Sequence, residues 1–131
     1  MSRQRTVLVV EDIAINLVLV EAVMVAAGYF VVSAGSAEEA RRLLLSVHPD
    51  VILMDVQLPG LDGLSLTRQL KAEPATAQIP VIALTAHAMK GDEEAALAAG
   101  CDGYVSKPIN TRTLASQVDA IIDGSRPSGP T

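Results

Sequence analysis

The chain has 131 residues and a net charge of −5, and it is 50% hydrophobic but only 2% aromatic. That length suits one domain with one core, and acidity with few stacking rings argues against nucleic-acid binding. No apolar run reaches the roughly 18 residues that suggest a membrane span, no charged-then-apolar leader opens the chain, and Cys101 has no second cysteine to pair with, so a cytosolic protein is expected.

Strand-type runs alternate with helix-type segments. In chain order the pattern predicts strand 6–10, helix 14–27, strand 30–34, helix 36–47 and strand 51–54, then helix 63–72, strand 80–84, helix 90–99, strand 103–106 and helix 111–123. Gly28 follows the first helix, Ser36 with Glu39 makes a capping box for the second, and Gly100 closes the fourth. Five strand–helix units with short, right-handed connections imply a doubly wound α/β fold, a parallel sheet with helices on both faces. Residues 1–123 form this domain, and 124–131 bring no apolar surface to bury, so they read as a disordered tail or a linker.

Each apolar run stops at a polar residue. Val7–Val10 leads into Glu11 and Asp12, Val51–Met54 into Asp55, Val81–Leu84 into Thr85, and Gly103–Ser106 into Lys107 and Pro108. Ligands of parallel sheets bind outside the carboxyl ends of the strands, so these residues converge if the runs lie side by side. Glu11, Asp12 and Asp55 together would repel one another unless they took up protons or a cation. Hard oxygen ligands with open positions suit Mg²⁺, which binds through one or two carboxylates plus a phosphate. Lys107 offers a point charge for phosphate oxygens and Thr85 a hydroxyl donor. The Lys107-Pro108 bond is a candidate cis peptide that aims the ammonium inward.

These pieces resemble the receiver domain of two-component response regulators. The matching segments are VLVVED, DVILMDVQLPGLDGL, PVIALTA and GYVSKPI, with Thr85 30 residues and Lys107 52 residues beyond Asp55. The resemblance covers 5–123, and the run from Thr85 to Ile109 is similar to DivK-type single-domain regulators and to receivers attached to hybrid histidine kinases. It implies a five-stranded parallel sheet of order 2-1-3-4-5 with five helices, flavodoxin-like or CheY-like. It also implies a signalling phosphoacceptor rather than an enzyme. Asp55 would accept a phosphoryl group from a phosphohistidine. Asp12, Asp55 and the backbone carbonyl of Gln57 would ligate Mg²⁺, with Glu11 acting through a water. Lys107 would pair first with Asp55 and then, like Thr85, with a phosphoryl oxygen. Gln57 and His87 would tune the phosphoryl lifetime. Thr85 and Tyr104 would form the switch that remodels an output face of helix 4, strand 5 and helix 5 for a downstream protein effector. The chain departs from many relatives in having Ile13 directly after the acidic pair.

From Ile15 to Ala27 the first helix carries one charge, Glu21. With Leu19, Val20, Val23 and Met24 on the sheet, Leu17, Val18, Ala22, Val25 and Ala26 are left outside. Such an apolar stripe marks a partner surface. Ile13, Val18, Ala22, Val25 and Pro108 are therefore the expected docking residues. The resemblance makes the partner a histidine kinase or histidine phosphotransfer protein, and the chain itself a monomer or weak dimer.

Two other readings compete. Phosphoaspartate hydrolases carry a second aspartate two residues after the nucleophile, where this chain has Gln57, and neither G-x-G-x-x-G nor a P-loop follows the first strand. A pseudoreceiver, a binding module without phosphotransfer, is opposed by the joint presence of Asp12, Asp55, Thr85 and Lys107.

Overall fold

A computed structural model describes residues 4–56, 63–85 and 90–125. Gln57 and His87, the two expected lifetime residues, lie outside them, as do 126–131. The described elements are β1 (Thr6–Val10), α1 (Ala14–Ala26), β2 (Phe30–Ala34), α2 (Ala37–Leu43), β3 (Val51–Asp55), α3 (Gly63–Ala72), β4 (Val81–Thr85), α4 (Lys90–Ala98), β5 (Gly103–Ser106) and α5 (Leu114–Ser125). The five strands form one parallel sheet in the order β2-β1-β3-β4-β5, as expected.

Alternation along the strands splits the core in two. Leu8, Val10, Ile52, Met54, Val81 and Ala83 pack on one face with Ala37 and Ala40 of α2, Leu66 and Leu70 of α3, and Ala96 of α4. Val7, Val9, Val51, Leu53, Ile82 and Leu84 pack on the other with Val20 and Met24 of α1 and Leu114, Val118 and Ile122 of α5. β1, β3 and β4 are covered on both sides, which explains why they read as unbroken apolar runs. Among the described residues, no helix is long and apolar enough to cross a membrane.

Element ends differ from expectation for local reasons. α2 stops at Leu43, not 47, because Leu45 N and Ser46 N turn back to Arg42 O and Leu43 O, and Pro49 follows. Its start is as expected: Ser36 Oγ accepts from Glu39 N at 3.1 Å, and Glu39 Oε1 accepts from Gly35 N at 2.8 Å. β4 begins at Val81 since Pro80 has no N–H to give. α5 begins at Leu114, not 111, because Asn110 Oδ1 accepts from Arg112 N at 2.9 Å and forms a turn first. It continues through Gly124 and Ser125, two residues expected in the tail.

Candidate functional site

Strand register assembles the site. Val10 pairs with Met54, so Glu11 emerges beside Asp55, while Asp55 pairs with Leu84 and Thr85 with Ser106. Glu11 is held by its own N–H, which donates to Ala34 O at 3.0 Å. Lys107 N donates to Thr85 O at 2.7 Å, which fixes where the lysine leaves the sheet. The residues thus gather at the β1/β3 reversal, where the chain winds outward in opposite directions.

One carboxylate oxygen from each of Glu11, Asp12 and Asp55 lies within 4.8 Å of the others. Glu11 is 1% exposed and Asp55 3%, whereas Asp12 stands at the surface. Lys107 Nζ reaches between the two buried acids, 3.0 Å from Glu11 Oε1 and 3.5 Å from Asp55 Oδ2. The expected pairing with Asp55 is therefore present, but Glu11 is the nearer partner. Glu11 Oε2 also accepts from Ile13 N at 3.3 Å, at the uncapped start of α1. Burial pushes the Glu11 carboxyl up, the hydrogen bond with Asp55 adds to this, and Lys107 opposes both. The Lys107-Pro108 bond is cis.

The donor set fits a small hard cation. Three carboxylates, two of them buried, converge on one point, and among the described residues a single ammonium, that of Lys107, contacts two of them. Thr85 is buried at the end of β4, the strand beside β3. Tyr104 pairs with Ala83, shares a sheet face with Thr85 one step nearer the mouth, and is half-buried against the core.

The residues expected to dock a partner are exposed: Ile13 is 49% exposed, Val18 62% and Val25 59%, and Ala22 and Pro108 are exposed too. Two neighbours exchange roles. Leu17 packs inward, while Leu19 turns outward, because the buried row is set by Leu17, Val20 and Met24 at helical spacing. Leu19, Ala22, Val23 and Ala26 then form one wall of a groove whose other wall includes Thr111 and Ala115. One participant escaped the sequence reading: Gly63, packed against the Asp55 carbonyl, for which a glycine at a helix start was the available signal.

The chain matches the response regulator receiver domain family over residues 7–119. It is 46% identical over 106 residues to the polar-differentiation response regulator DivK of Brucella ovis, covering 81% of this chain and 86% of that one. It superposes with a TM-score of 0.84 and 36% identity on the receiver domain of a sensor histidine kinase from Pseudomonas aeruginosa PAO1, covering 92% of this chain and 99% of the other; that structure holds a magnesium ion in its active site cleft. The receiver domain of a histidine kinase from Syntrophus aciditrophicus gives a TM-score of 0.85 at 31% identity, covering 97% and 96% of the two chains. With its sheet order, its acidic cleft and these likenesses, the chain belongs to the response regulator receiver domain family.

Proposed function

We propose that this protein takes a phosphoryl group from a phosphohistidine onto Asp55 and passes the signal on by protein contact. The observation that carries the reading is the placement of Lys107 Nζ, 3.5 Å from Asp55 Oδ2, within a cleft lined by two further carboxylates. A structural ion pair alone needs no such excess of negative charge around one ammonium.

In the reaction, an Asp55 carboxylate oxygen attacks phosphorus in line, the P–N bond breaks, and its electron pair returns to the donor's imidazole. The donor's leaving group needs no activation by this chain, so no general base is required. The chain's task is placement and charge neutralisation. Lys107 turns from Asp55 to a phosphoryl oxygen, and Glu11 keeps the ammonium in the cleft meanwhile. Thr85 donates its hydroxyl to a second phosphoryl oxygen. Asp12, Asp55 and the Gln57 carbonyl would hold Mg²⁺ and Glu11 would reach it through a water; the ion supplies charge neutralisation at the transferring group. By resemblance to the family, Gln57 and His87 would tune the phosphoryl lifetime.

Thr85, drawn toward the phosphoryl group, leaves room for Tyr104 to turn inward on the same sheet face. One charge-assisted hydrogen bond contributes about 1.5–3 kcal/mol, which shifts a two-state equilibrium about tenfold to a hundredfold. The output face is that of α4, β5 and α5, read by a protein effector. The exposed apolar residues of α1, with Ile13 and Pro108 at the cleft's rim, receive the histidine-bearing bundle of a kinase or phosphotransfer protein.

Incubation with Mg²⁺ and beryllofluoride tests the reading, since a working acceptor holds this phosphoryl mimic at Asp55. A raised melting temperature is expected in the wild type and none in Asp55→Asn; no response in either would leave a binding module without phosphotransfer. Val18→Lys with Val25→Lys should slow transfer from a phosphorylated bundle and spare acetyl phosphate. Equal loss with both donors would remove the docking role of α1.

A further inference from the structure

α3 opens on a residue poorly suited to a helix. Gly63 is buried in its first turn, where alanine is favoured by propensity alone. Its backbone gives no reason for glycine, because positive φ occurs at Gly28 and Gly100 and not here. The requirement is one of space. A Cβ at position 63 would stand 2.2 Å from the carbonyl oxygen of Asp55, 3.0 Å from its carbonyl carbon and 3.0 Å from Met54 Cγ. The first of these lies far inside van der Waals contact. A methionine tip can swing aside; a backbone carbonyl moves only by carrying its own residue along.

From this contact we infer that Gly63 is a positioning residue for Asp55. The bare α-carbon lets the first turn of α3 seat directly on the last peptide of β3, and that seat sets the acceptor carboxylate against Lys107, Glu11 and Asp12. The helix is the firmer partner. Thr67 Oγ1 donates to Gly63 O at 2.8 Å, and Leu66, Thr67 and Leu70 are buried beneath it. Among the described residues, the ladder beyond Asp55 continues with Val56 N, which donates to Leu84 O at 3.1 Å. A side chain at position 63 therefore displaces the end of β3, and the displacement falls on the residue that must lie in line with an incoming phosphoryl group.

The consequence for transfer rests on the phosphoacceptor reading of Asp55; the contact does not. The test compares Gly63→Ala with the wild type by thermal melting, by NMR of the Asp55 and Val56 amides and the Lys107 ammonium, and by the rate of labelling with acetyl phosphate and Mg²⁺. A folded variant is expected to show shifts centred on those three residues and labelling slowed roughly tenfold to a hundredfold, as misplacement by a fraction of an ångström to an ångström gives. Unmoved shifts overturn the inference, as do moved shifts with labelling at the wild-type rate. If the wild type itself takes no label, the phosphoacceptor reading falls while the shifts still decide the role of Gly63. The double variant Gly63→Ala, Met54→Ala separates the carbonyl from the core and serves if the single variant does not fold. Persisting shifts and slow labelling uphold a backbone seat, and recovery of both shows that the added methyl met only the methionine and overturns it.

Discussion

Acidic residues punctuate both ends of the sheet, and the two ends treat them in opposite ways. At the amino end, Asp50 Oδ2 accepts from Thr6 N at 2.8 Å, and Asp102 Oδ2 accepts from Val81 N at 2.9 Å and from Lys71 Nζ at 3.0 Å. Asp119 takes the Arg5 guanidinium at 3.1 Å and the Tyr29 hydroxyl. Each of these carboxylates has a donor supplied by a neighbouring strand or helix, and each ties one element to the next. At the carboxyl end one oxygen from each of Glu11, Asp12 and Asp55 lies within 4.8 Å of the others, and Lys107 Nζ pairs with Glu11 and Asp55. Carboxylates are spread out, each with its own donor, where the fold must be held, and three are crowded together where the proposed function needs a divalent ion and a phosphoryl group.

If that contrast is right, substitutions at the two ends should separate activity from stability. Asp55→Asn is expected to have the largest effect on function, abolishing labelling by acetyl phosphate. The same change relieves repulsion in the cleft, so the melting temperature should rise by a few degrees. Label retained by the variant would place the acceptor elsewhere. Lys107→Ala comes next. Glu11, 1% exposed, loses the ammonium 3.0 Å away, and an uncompensated buried charge costs about 3 kcal/mol. Urea unfolding at neutral pH measures this cost. A much smaller loss would show that the lysine belongs to the chemistry alone.

The carboxyl end was the more legible of the two in the sequence. Parallel strands in register bring their ends together, so four apolar runs each closed by a polar residue were enough to place Asp55, Thr85 and Lys107 in one cleft. Which acid the lysine favours was not readable, because it depends on how deeply Glu11 sinks beside Ala34, a matter of tertiary burial. Leu17 and Leu19 exchanged faces for a related reason: α1 is apolar nearly all round, so its pattern fixes the helix without fixing its rotation. The amino end was silent. Arg5 and Asp119 are 114 residues apart and Tyr29 and Asp119 are 90 apart, with no period or motif to link them. Gly63 was visible as a residue out of place in a helix, but the carbonyl that explains it belongs to a different element.

At the amino end the effects should be smaller and confined to stability. Burial, and then the hydrogen bond to Asp119, push the Tyr29 hydroxyl up to about 12 from its ordinary value of 10.0. A folded value above the unfolded one favours the protonated form. Its contribution is therefore full below about pH 10 and is lost as pH rises through about 12. Urea midpoints should fall across that window in the wild type and much less in Tyr29→Phe, and absorbance titration of Tyr104→Phe should place the remaining tyrosine near the upper limit. Titration near 10 would mean that the hydroxyl is not held as described.

Arg5→Ala should be the mildest change. The guanidinium bridges Asp119 at 3.1 Å and Asp123 at 2.6 Å, tying the start of β1 to α5, but its partners are 47% and 62% exposed to water. Solvent screening limits such pairs to about 0.5–1 kcal/mol in all. Labelling of Asp55 should be untouched, since Arg5 and its partners lie at the opposite end of the sheet from the cleft. Ion pairs at a surface weaken as salt rises, so the stability difference between Arg5→Ala and the wild type should shrink between low and molar salt. A difference that persists there would show that the arginine's half-buried stem matters more than its charge.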